Sequence, residues 1–109
     1  MWVKRAELHV LCGEPMLATF DLGNGRQRRS KICHRCDTRL WAEPFDRPDL
    51  AVLRPGTLDD QHVFTPVAHL YTRSKQAWFS IPDNVVQFET QPAQREELIR
   101  LWSHARNTR

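Results

Sequence analysis

With 109 residues, of which 40% are hydrophobic and 27% charged, the chain matches one small globular domain and not a disordered segment. No apolar run approaches the roughly 18 residues of a membrane span and no apolar leader is present, so we expect a cytoplasmic protein without a membrane partner. The three cysteines are an odd number and fit metal binding better than a disulfide framework.

The chain begins with Met1-Trp2-Val3, large apolar residues that are typical of a strand or a core. Over residues 7–12 apolar and polar residues partly alternate, which predicts a strand that ends at Gly13-Glu14-Pro15. Cys12 is the lone cysteine of this predicted strand. We expect it to be a small buried core residue, and the alternative is a third metal ligand.

A β-hairpin is predicted next, with strands over residues 16–22 and 27–32. Gly23-Asn24-Gly25 between them supplies residues that adopt positive φ in a tight turn. The densest basic cluster of the chain lies on the second strand: Arg26, Arg28, Arg29 and Lys31. We interpret it as a solvated strand that protects a sheet edge. A nucleic-acid patch is the alternative, but we do not expect nucleic acid as a partner.

The stretch Cys33-His34-Arg35-Cys36 is the strongest chemical signal. Two thiols separated by two residues can bind one tetrahedral Zn²⁺, and the loop that carries them is called a zinc knuckle. We predict it at the tip of a hairpin between residues 27–32 and 38–42, where loop N–H groups donate to the sulfurs. The alternatives are a half-site without metal and a redox dithiol, which normally opens a helix. We predict Cys33 and Cys36 as ligands of a structural, partial Zn²⁺ site.

The elements after the knuckle are short. Asp37 stands where a left-handed glycine is common, and aspartate tolerates that conformation better than most residues. Residues 50–53 are predicted to be a buried strand and Pro55-Gly56 a turn. Residues 57–60 are predicted to be a strand end whose carboxylates, Asp59 and Asp60, cap a loop, and the alternative is an acid and base pair. Residues 63–71 are predicted to be a strand with Pro66 at an edge or bulge.

Near the end of the chain the spacing of apolar residues changes from that of a strand to that of a helix. Four residues recur on one face of a helix predicted over about 92–106, with Pro92 in its first turn: Leu98, Leu101, Trp102 and Ala105. The fold class is therefore mostly β with one C-terminal helix, in a single domain over residues 1–109.

Several motifs in register resemble the glutathione-dependent formaldehyde-activating enzyme family, also called the CENP-V/GFA family. The residues that carry the resemblance are Cys33-x-x-Cys36-x-Thr38-x-Leu40, Pro55-Gly56-Thr57-Leu58-Asp59-Asp60, the run from His69 to Lys75, Trp78, Ile81-Pro82-Asp83, Phe88 and Pro92, with Leu11-Cys12-Gly13-Glu14-Pro15 upstream. The resemblance covers most of residues 1–92. It implies an all-β fold of the Mss4-like type, here with a zinc-knuckle hairpin, and carbon–sulfur lyase chemistry that joins formaldehyde to the glutathione thiol.

The resemblance also implies two zinc sites. The structural site takes a C-x-C motif together with the later C-x-x-C, here Cys33 and Cys36. The catalytic site takes a three-cysteine cluster, C-x-C-x-x-C. Neither N-terminal cysteine motif is present, so we expect an N-terminally truncated family domain that is inactive alone, and we name no catalytic and no cofactor-binding residue.

Two further expectations concern partners. The family's substrate is a glutathione-type thiol, and Arg73 and Lys75 are candidates to neutralise its carboxylates, with structural salt bridges as the alternative. The second hypothesis for function is a noncatalytic zinc-binding or protein-interaction module. In it two chains form a homodimer whose two half-sites share one zinc.

Overall fold

The computed structural model describes residues 1–107. The chain divides into two compact units, Met1–Val63 and Phe64–Arg109, and each unit has its own sheet. An α-helix near the C-terminus completes the described elements. The predicted mostly β class with a C-terminal helix is confirmed, whereas the single domain stays a prediction. No helix in the described residues is both long and apolar enough to cross a membrane.

The first unit contains a five-stranded antiparallel sheet. Its strands are β1 (Trp2–Lys4), β2 (Met16–Gly23), β3 (Arg26–Ile32), β4 (Arg39–Ala42) and β5 (Leu50–Leu53). The order across the sheet is β1-β5-β4-β3-β2, so β1 and β2 are its edge strands. The apolar start of the chain lies in β1, and the predicted buried strand over residues 50–53 coincides with β5.

Strands β2 and β3 form the predicted hairpin. Gly23, Asn24 and Gly25 have φ values of 84°, 54° and 73°, so the whole turn lies in the left-handed region. Glycine adopts this region without strain and asparagine tolerates it better than most residues. The Asp21 carboxylate accepts a hydrogen bond of 2.9 Å from the Gly23 N–H, beside an irregularity in the strand register. Local turn chemistry therefore determines where this hairpin reverses.

The most buried residues of the first unit lie on its central strands. Trp41 on β4 is 5% exposed, Ala51 on β5 is fully buried, and Ser30 on β3 is 1% exposed. The Trp41 indole N–H donates to the Glu43 carboxylate at 3.2 Å, and the Arg5 guanidinium lies 5.4 Å from the Trp41 ring centroid. Arg5 and Glu43 also form an ion pair of 3.8 Å. The indole is thus packed in the sheet core and held at its polar edge.

The predicted strand over residues 7–12 is wrong. Arg5–Glu7 forms a 3₁₀ turn, and the Leu8 N–H donates back to the Arg5 carbonyl at 3.1 Å instead of to a neighbouring strand. No strand follows before β2. Cys12 is therefore exposed and not the buried core residue that we expected. The reason is physical: an imperfect alternation forms a strand only where another strand is available to pair with it.

The basic cluster does not protect a sheet edge. It lies on β3, which pairs with both β2 and β4 and is thus an interior strand. Arg28 and Arg29 are half-buried, and the Arg28 guanidinium lies 5.0 Å from the Phe20 ring centroid. The residues at 57–60 are also not a strand end, because Pro55–Thr57 is a 3₁₀ turn. The loop-capping role is confirmed for Asp60, whose carboxylate accepts the His62 N–H at 3.1 Å.

The second unit contains two short parallel strands and the helix. They are β6 (Ala68–His69), β7 (Val86–Gln87) and α1 (Glu96–Asn107). Beyond β6 the backbone N–H groups of Tyr71, Thr72 and Arg73 donate to the carbonyls of Thr90, Phe88 and Glu89. On α1, Trp102 is 6% exposed, and its ring centroid lies 5.8 Å from that of Phe64. The helix thus buries the face that its sequence period predicts.

Two predicted boundaries in the second half of the chain are wrong. The strand over residues 63–71 shrinks to β6, because Val63 ends a 3₁₀ turn and Tyr71 has a left-handed φ of 56°. Pro66 lacks an N–H and lies in the part of this stretch that forms no hydrogen bonds to another strand. Helix α1 begins at Glu96 and not at Pro92. Acidic residues in its first turn, Glu96 and Glu97, suit the positive end of the helix dipole.

Candidate metal centre

Cys33 and Cys36 lie in the loop at the tip of the hairpin formed by β3 and β4. The Cys33 N–H donates to the Thr38 carbonyl and the Asp37 N–H donates to the Cys33 carbonyl, each at 2.9 Å. These two bonds close the loop between strands that are themselves paired. The predicted position of the loop at a hairpin tip is confirmed, whereas its binding of a metal stays a prediction. Because the loop joins two strands and opens no helix, it lacks the setting of a redox dithiol.

Asp37 takes the left-handed conformation that the position after a knuckle requires. Its φ is 61°, and it is one of three non-glycine residues with positive φ among those described. An aspartate side chain tolerates this conformation better than most others. The substitution of the common glycine by Asp37 therefore preserves the path of the loop.

The environment of Cys36 favours a thiolate. Cys36 is exposed and Cys33 is half-buried. The Thr38 hydroxyl, 3.0 Å from the Cys36 sulfur, is the largest cause that lowers the pKa of Cys36, followed by the Thr38 backbone N–H and the Cys33 thiol. Desolvation of the thiol and the Asp37 carboxylate both act in the opposite direction and raise the pKa of Cys36. The hydrogen bonds outweigh both, as expected for a loop that presents donors to a sulfur.

The two thiols are ligands of the type that zinc prefers, but they are fewer than the four that a structural zinc site needs. Thiolates are soft ligands that zinc prefers, and a closed structural site takes four of them. Within residues 1–107 no group of three or more histidine, cysteine or carboxylate side chains is placed to hold a metal ion. Cys12 is therefore not a third ligand beside Cys33 and Cys36. The chain offers one dithiol, which is half of a tetrahedral set.

The lowered pKa leads to a prediction about alkylation. Because the thiolate is the nucleophile, iodoacetamide should modify Cys36 at lower pH in the folded chain than in the chain unfolded in urea. The variant Thr38→Val, which removes the hydrogen bond from the Thr38 hydroxyl, should move the alkylation profile of the folded chain to higher pH. Trypsin cleaves after Arg35, so mass spectrometry reports Cys33 and Cys36 in separate peptides. Identical profiles in the folded and unfolded chains would contradict the prediction.

Among the described residues, no histidine joins Cys33 and Cys36 in a group of three possible metal ligands. His9, His62 and His34 are exposed, and the ring of His69 lies against Phe79 at 6.3 Å between centroids. A cleft in the first unit contains no cysteine, and its lining residues are Lys4, Arg5, Ala6, Arg47, Pro48, Asp49 and Leu50. Its Arg47 and Asp49 are already paired with each other at 3.0 Å.

Arg73 and Lys75, the candidates for glutathione carboxylates, are both exposed. The Lys75 ammonium donates to the Phe79 carbonyl at 3.1 Å. In the part of the chain that the structure describes, neither side chain forms an ion pair, so the alternative of structural salt bridges is not supported. Their role with a thiol substrate stays a prediction.

Comparison with known proteins identifies the family. The model of the glutathione-dependent formaldehyde-activating enzyme family (GFA) matches residues 1–74, which include the knuckle and the stretch from Pro55 to Asp60. The chain belongs to the GFA family. A search of curated proteins and a search of solved structures each gave no match. The Mss4-like fold and the extension of the resemblance beyond residue 74 to Pro92 therefore stay predictions.

The sequence identifies the two thiols, but it does not indicate that Thr38 lowers the pKa of Cys36. In the sequence, Thr38 is visible only as part of the motif C-x-x-C-x-T. In the structure its hydroxyl, N–H and carbonyl all bond to the two cysteines. A hydroxyl residue two positions after the second thiol was the available signal, because its side chain can reach back to the sulfur.

Proposed function

We propose that this GFA-family chain is of the carbon–sulfur lyase type, whose chemistry joins formaldehyde to the thiol of glutathione. We further propose that Cys33 and Cys36 bind a zinc ion and that the 109 residues alone do not catalyse the reaction. The observation that carries the metal proposal is the Cys36 sulfur, exposed and hydrogen-bonded by Thr38 at 3.0 Å. The lyase class is supported by the family match over residues 1–74.

The proposed inactivity follows from ligand counting. Catalytic zinc sites use three protein ligands and keep a fourth position open for water or substrate. The sequence has three cysteines, and one of them, Cys12, does not join the dithiol. Cys33 and Cys36 also correspond to the structural pair of the family resemblance and not to its catalytic cluster. We therefore assign the dithiol a structural role and no step of the reaction.

A noncatalytic zinc-binding or interaction module is the second candidate. It is favoured by the position of the dithiol at the tip of a hairpin, with exposed residues on the loop around it. A zinc ion held by these two thiols would lie at an exposed loop, because Cys36 is exposed and Cys33 is half-buried. Such a site serves assembly better than it serves enclosure of a small substrate.

The first experiment measures zinc content and activity on the same samples. Wild-type chain dialysed against zinc should retain the metal, Cys33→Ser should lose it, and Cys12→Ser should match wild type because Cys12 lies outside the knuckle. Elemental mass spectrometry gives the stoichiometry. Adduct formation from glutathione and formaldehyde, followed by NMR, should proceed at the uncatalysed rate with each sample.

Two results would contradict the two parts of the proposal separately. A zinc-free wild-type chain would overturn the metal site, because Cys33 and Cys36 are the residues to which the proposal assigns the metal. A rate of adduct formation above the uncatalysed background that scales with chain concentration would overturn the inactivity and restore a catalytic assignment.

A further inference from the structure

We propose that the edge strand β2 is the docking site for an extended, acidic segment of a partner protein. The segment adds to the five-stranded sheet as a further strand beside β2, and its carboxylates pair with Arg28 and Arg39. This inference is independent of the proposed zinc binding and of the lyase class, because none of the three cysteines takes part in it. It assigns an interaction surface to a part of the first unit that the dithiol does not include.

The unpaired backbone of β2 is the first reason. This strand has eight residues, whereas the other edge strand, β1, has three. Within residues 1–107 the backbone groups of β2 bond only to β3 and, at the Gly23 N–H, to the Asp21 carboxylate. A row of N–H and C=O groups is therefore open along the outer side of β2. Such a row is a template for one more strand.

The side chains of β2 do not protect this edge. Native edge strands are usually protected by lysine, by proline or by being short. Strand β2 contains no lysine and no proline, and its one charged residue, Asp21, lies near the turn. Four of its exposed side chains are apolar: Met16, Leu17, Phe20 and Leu22. The edge thus offers both backbone hydrogen bonds and apolar contacts, which is the combination that an added peptide strand uses.

Two guanidinium groups converge on the exposed Phe20 ring. Arg28 lies directly opposite Phe20 on β3, and its guanidinium carbon is 5.0 Å from the ring centroid. Arg39 comes from β4, and its guanidinium carbon is 5.8 Å from the same centroid. Because neighbouring strands lie about 4.8 Å apart, Arg39 brings its charge across β3 to the edge. A strand added beside β2 therefore meets two cations close to its side chains.

Neither guanidinium is neutralised by the part of the chain that the structure describes. Arg28 and Arg39 form no ion pair and no side-chain hydrogen bond there. The Nε atom of Arg28 is buried and has no acceptor, so the chain itself supplies no carboxylate to this group. A guanidinium forms its strongest hydrogen bonds with a carboxylate, in bidentate geometry. The two arginines thus lack the kind of acceptor that aspartate and glutamate provide.

Charge also favours an acidic partner over a second copy of the chain. Residues 26–39 carry six cations and one carboxylate: Arg26, Arg28, Arg29, Lys31, Arg35, Arg39 and Asp37. Two copies paired through β2 would bring these cations together, and like charges repel each other. A nucleic acid has the complementary charge, but it has no peptide backbone to pair with the open edge. An acidic peptide satisfies both the charge and the backbone groups.

The first experiment measures the binding of fluorescently labelled peptides to the wild-type chain by fluorescence anisotropy. The probe alternates glutamate and valine and is as long as β2, eight residues. In an extended strand all of its carboxylates lie on one face. It should bind, and an increase in salt from about 0.05 to about 0.5 M should weaken binding. The matched control, with lysine for each glutamate, should not bind, and equal binding of the two peptides would overturn the proposal.

Backbone pairing is tested with two N-methylated forms of the Glu-Val peptide, one methylated at every glutamate nitrogen and the other at every valine nitrogen. The two forms have the same charge, and in an extended strand their methyl groups lie on opposite edges. The form whose methyl groups face β2 should bind about tenfold more weakly or worse, and the other should bind like the parent peptide. Weaker binding of both forms, or of neither, would overturn the pairing along β2.

The charge assignment is tested with variants of the chain. Arg28→Gln and Arg39→Gln should each weaken binding of the Glu-Val peptide about twofold to fivefold, the effect of one exposed ion pair, and the double variant should weaken it about tenfold. Arg100→Gln is the matched control, because Arg100 is an exposed arginine on α1 in the second unit. It should bind like wild type. Far-UV circular dichroism shows whether each variant is folded, and unchanged binding by a folded double variant would overturn the assignment.

Two other results would assign the edge to a different occupant and overturn the acidic partner. One is a dimer of the wild-type chain in sedimentation velocity together with no binding of the Glu-Val peptide, which would assign β2 to a second copy. The other is tighter binding of an eight-nucleotide single strand than of the peptide, which would assign the arginines to nucleic acid.

Discussion

Replacing Trp41 with alanine is expected to lower the free energy of unfolding by about 3–5 kcal/mol, the range for a buried large aromatic side chain. Trp41 is 5% exposed and lies on β4, between β3 and β5. Its removal leaves a cavity at the middle of the first unit that neighbouring strands fill only in part. It also removes the ring over which the Arg5 guanidinium lies, and the hydrogen bond that the indole N–H donates to the Glu43 carboxylate.

Trp78→Ala is the matched control. Trp78 is 79% exposed and makes an edge-on contact with Phe79 at 6.1 Å between ring centroids. Its loss should lower the free energy of unfolding by less than about 1 kcal/mol. Urea unfolding followed by circular dichroism at 222 nm compares the two variants without relying on tryptophan fluorescence. Equal losses for Trp41→Ala and Trp78→Ala would show that Trp41 is not a core residue.

Predictions based on local backbone chemistry are confirmed in this fold. The reversal between β2 and β3 depends on Gly23-Asn24-Gly25, three consecutive residues suited to positive φ. The turn after the dithiol depends on Asp37, again a residue that tolerates the left-handed region. Each turn is determined by residues within it, so the sequence carries the whole signal. The strands that flank these turns were predicted to within about two residues.

Predictions that required a distant partner were less successful. Residues 7–12 and 63–71 have apolar patterns that suit a strand, but a strand forms only where another strand pairs with it. Pairing is decided by the rest of the chain and is not visible in a short window. The basic cluster on β3 illustrates the same limit, because sheet order and not composition makes β3 an interior strand.

The position of the dithiol in the fold was predictable from the sequence, and its surroundings were not. The spacing of Cys33 and Cys36 alone indicated a dithiol at a hairpin tip. The exposure of Cys12 could not be foreseen, since it follows from the absence of a strand over residues 7–12. The hydrogen bond from Thr38 depends on loop geometry at a scale of tenths of an ångström. The sequence thus shows the motif that supplies the thiols. It does not show the exposure and hydrogen bonds of the site, because these depend on how the strands pair.

Replacing Ser30 with alanine is expected to stabilise the chain, by about 1–2 kcal/mol. Ser30 is 1% exposed, and its hydroxyl oxygen has no hydrogen-bond partner within the described residues. A buried hydroxyl without a partner has lost its bonds to water and gained none in return. The residues directly opposite it on β2 and β4 are Ala18 and Ala42, so the site already accommodates small apolar side chains. Alanine therefore fits without strain, and its weaker strand propensity reduces the gain.

Two substitutions at Ser30 distinguish the effect of removing the hydroxyl from the effect of adding volume, because they should change the free energy of unfolding in opposite directions. Ser30→Val also removes the hydroxyl but adds a methyl group beside the two alanines, and overpacking of a close-packed site typically costs about 1–3 kcal/mol. Ser80→Ala, at an exposed position, should change the free energy of unfolding by less than about 0.5 kcal/mol. Urea unfolding of the three variants should rank Ser30→Ala above wild type and Ser30→Val below it. A loss of stability in Ser30→Ala would mean that the hydroxyl has a partner, and the small volume between Ala18 and Ala42 would then hold a buried water.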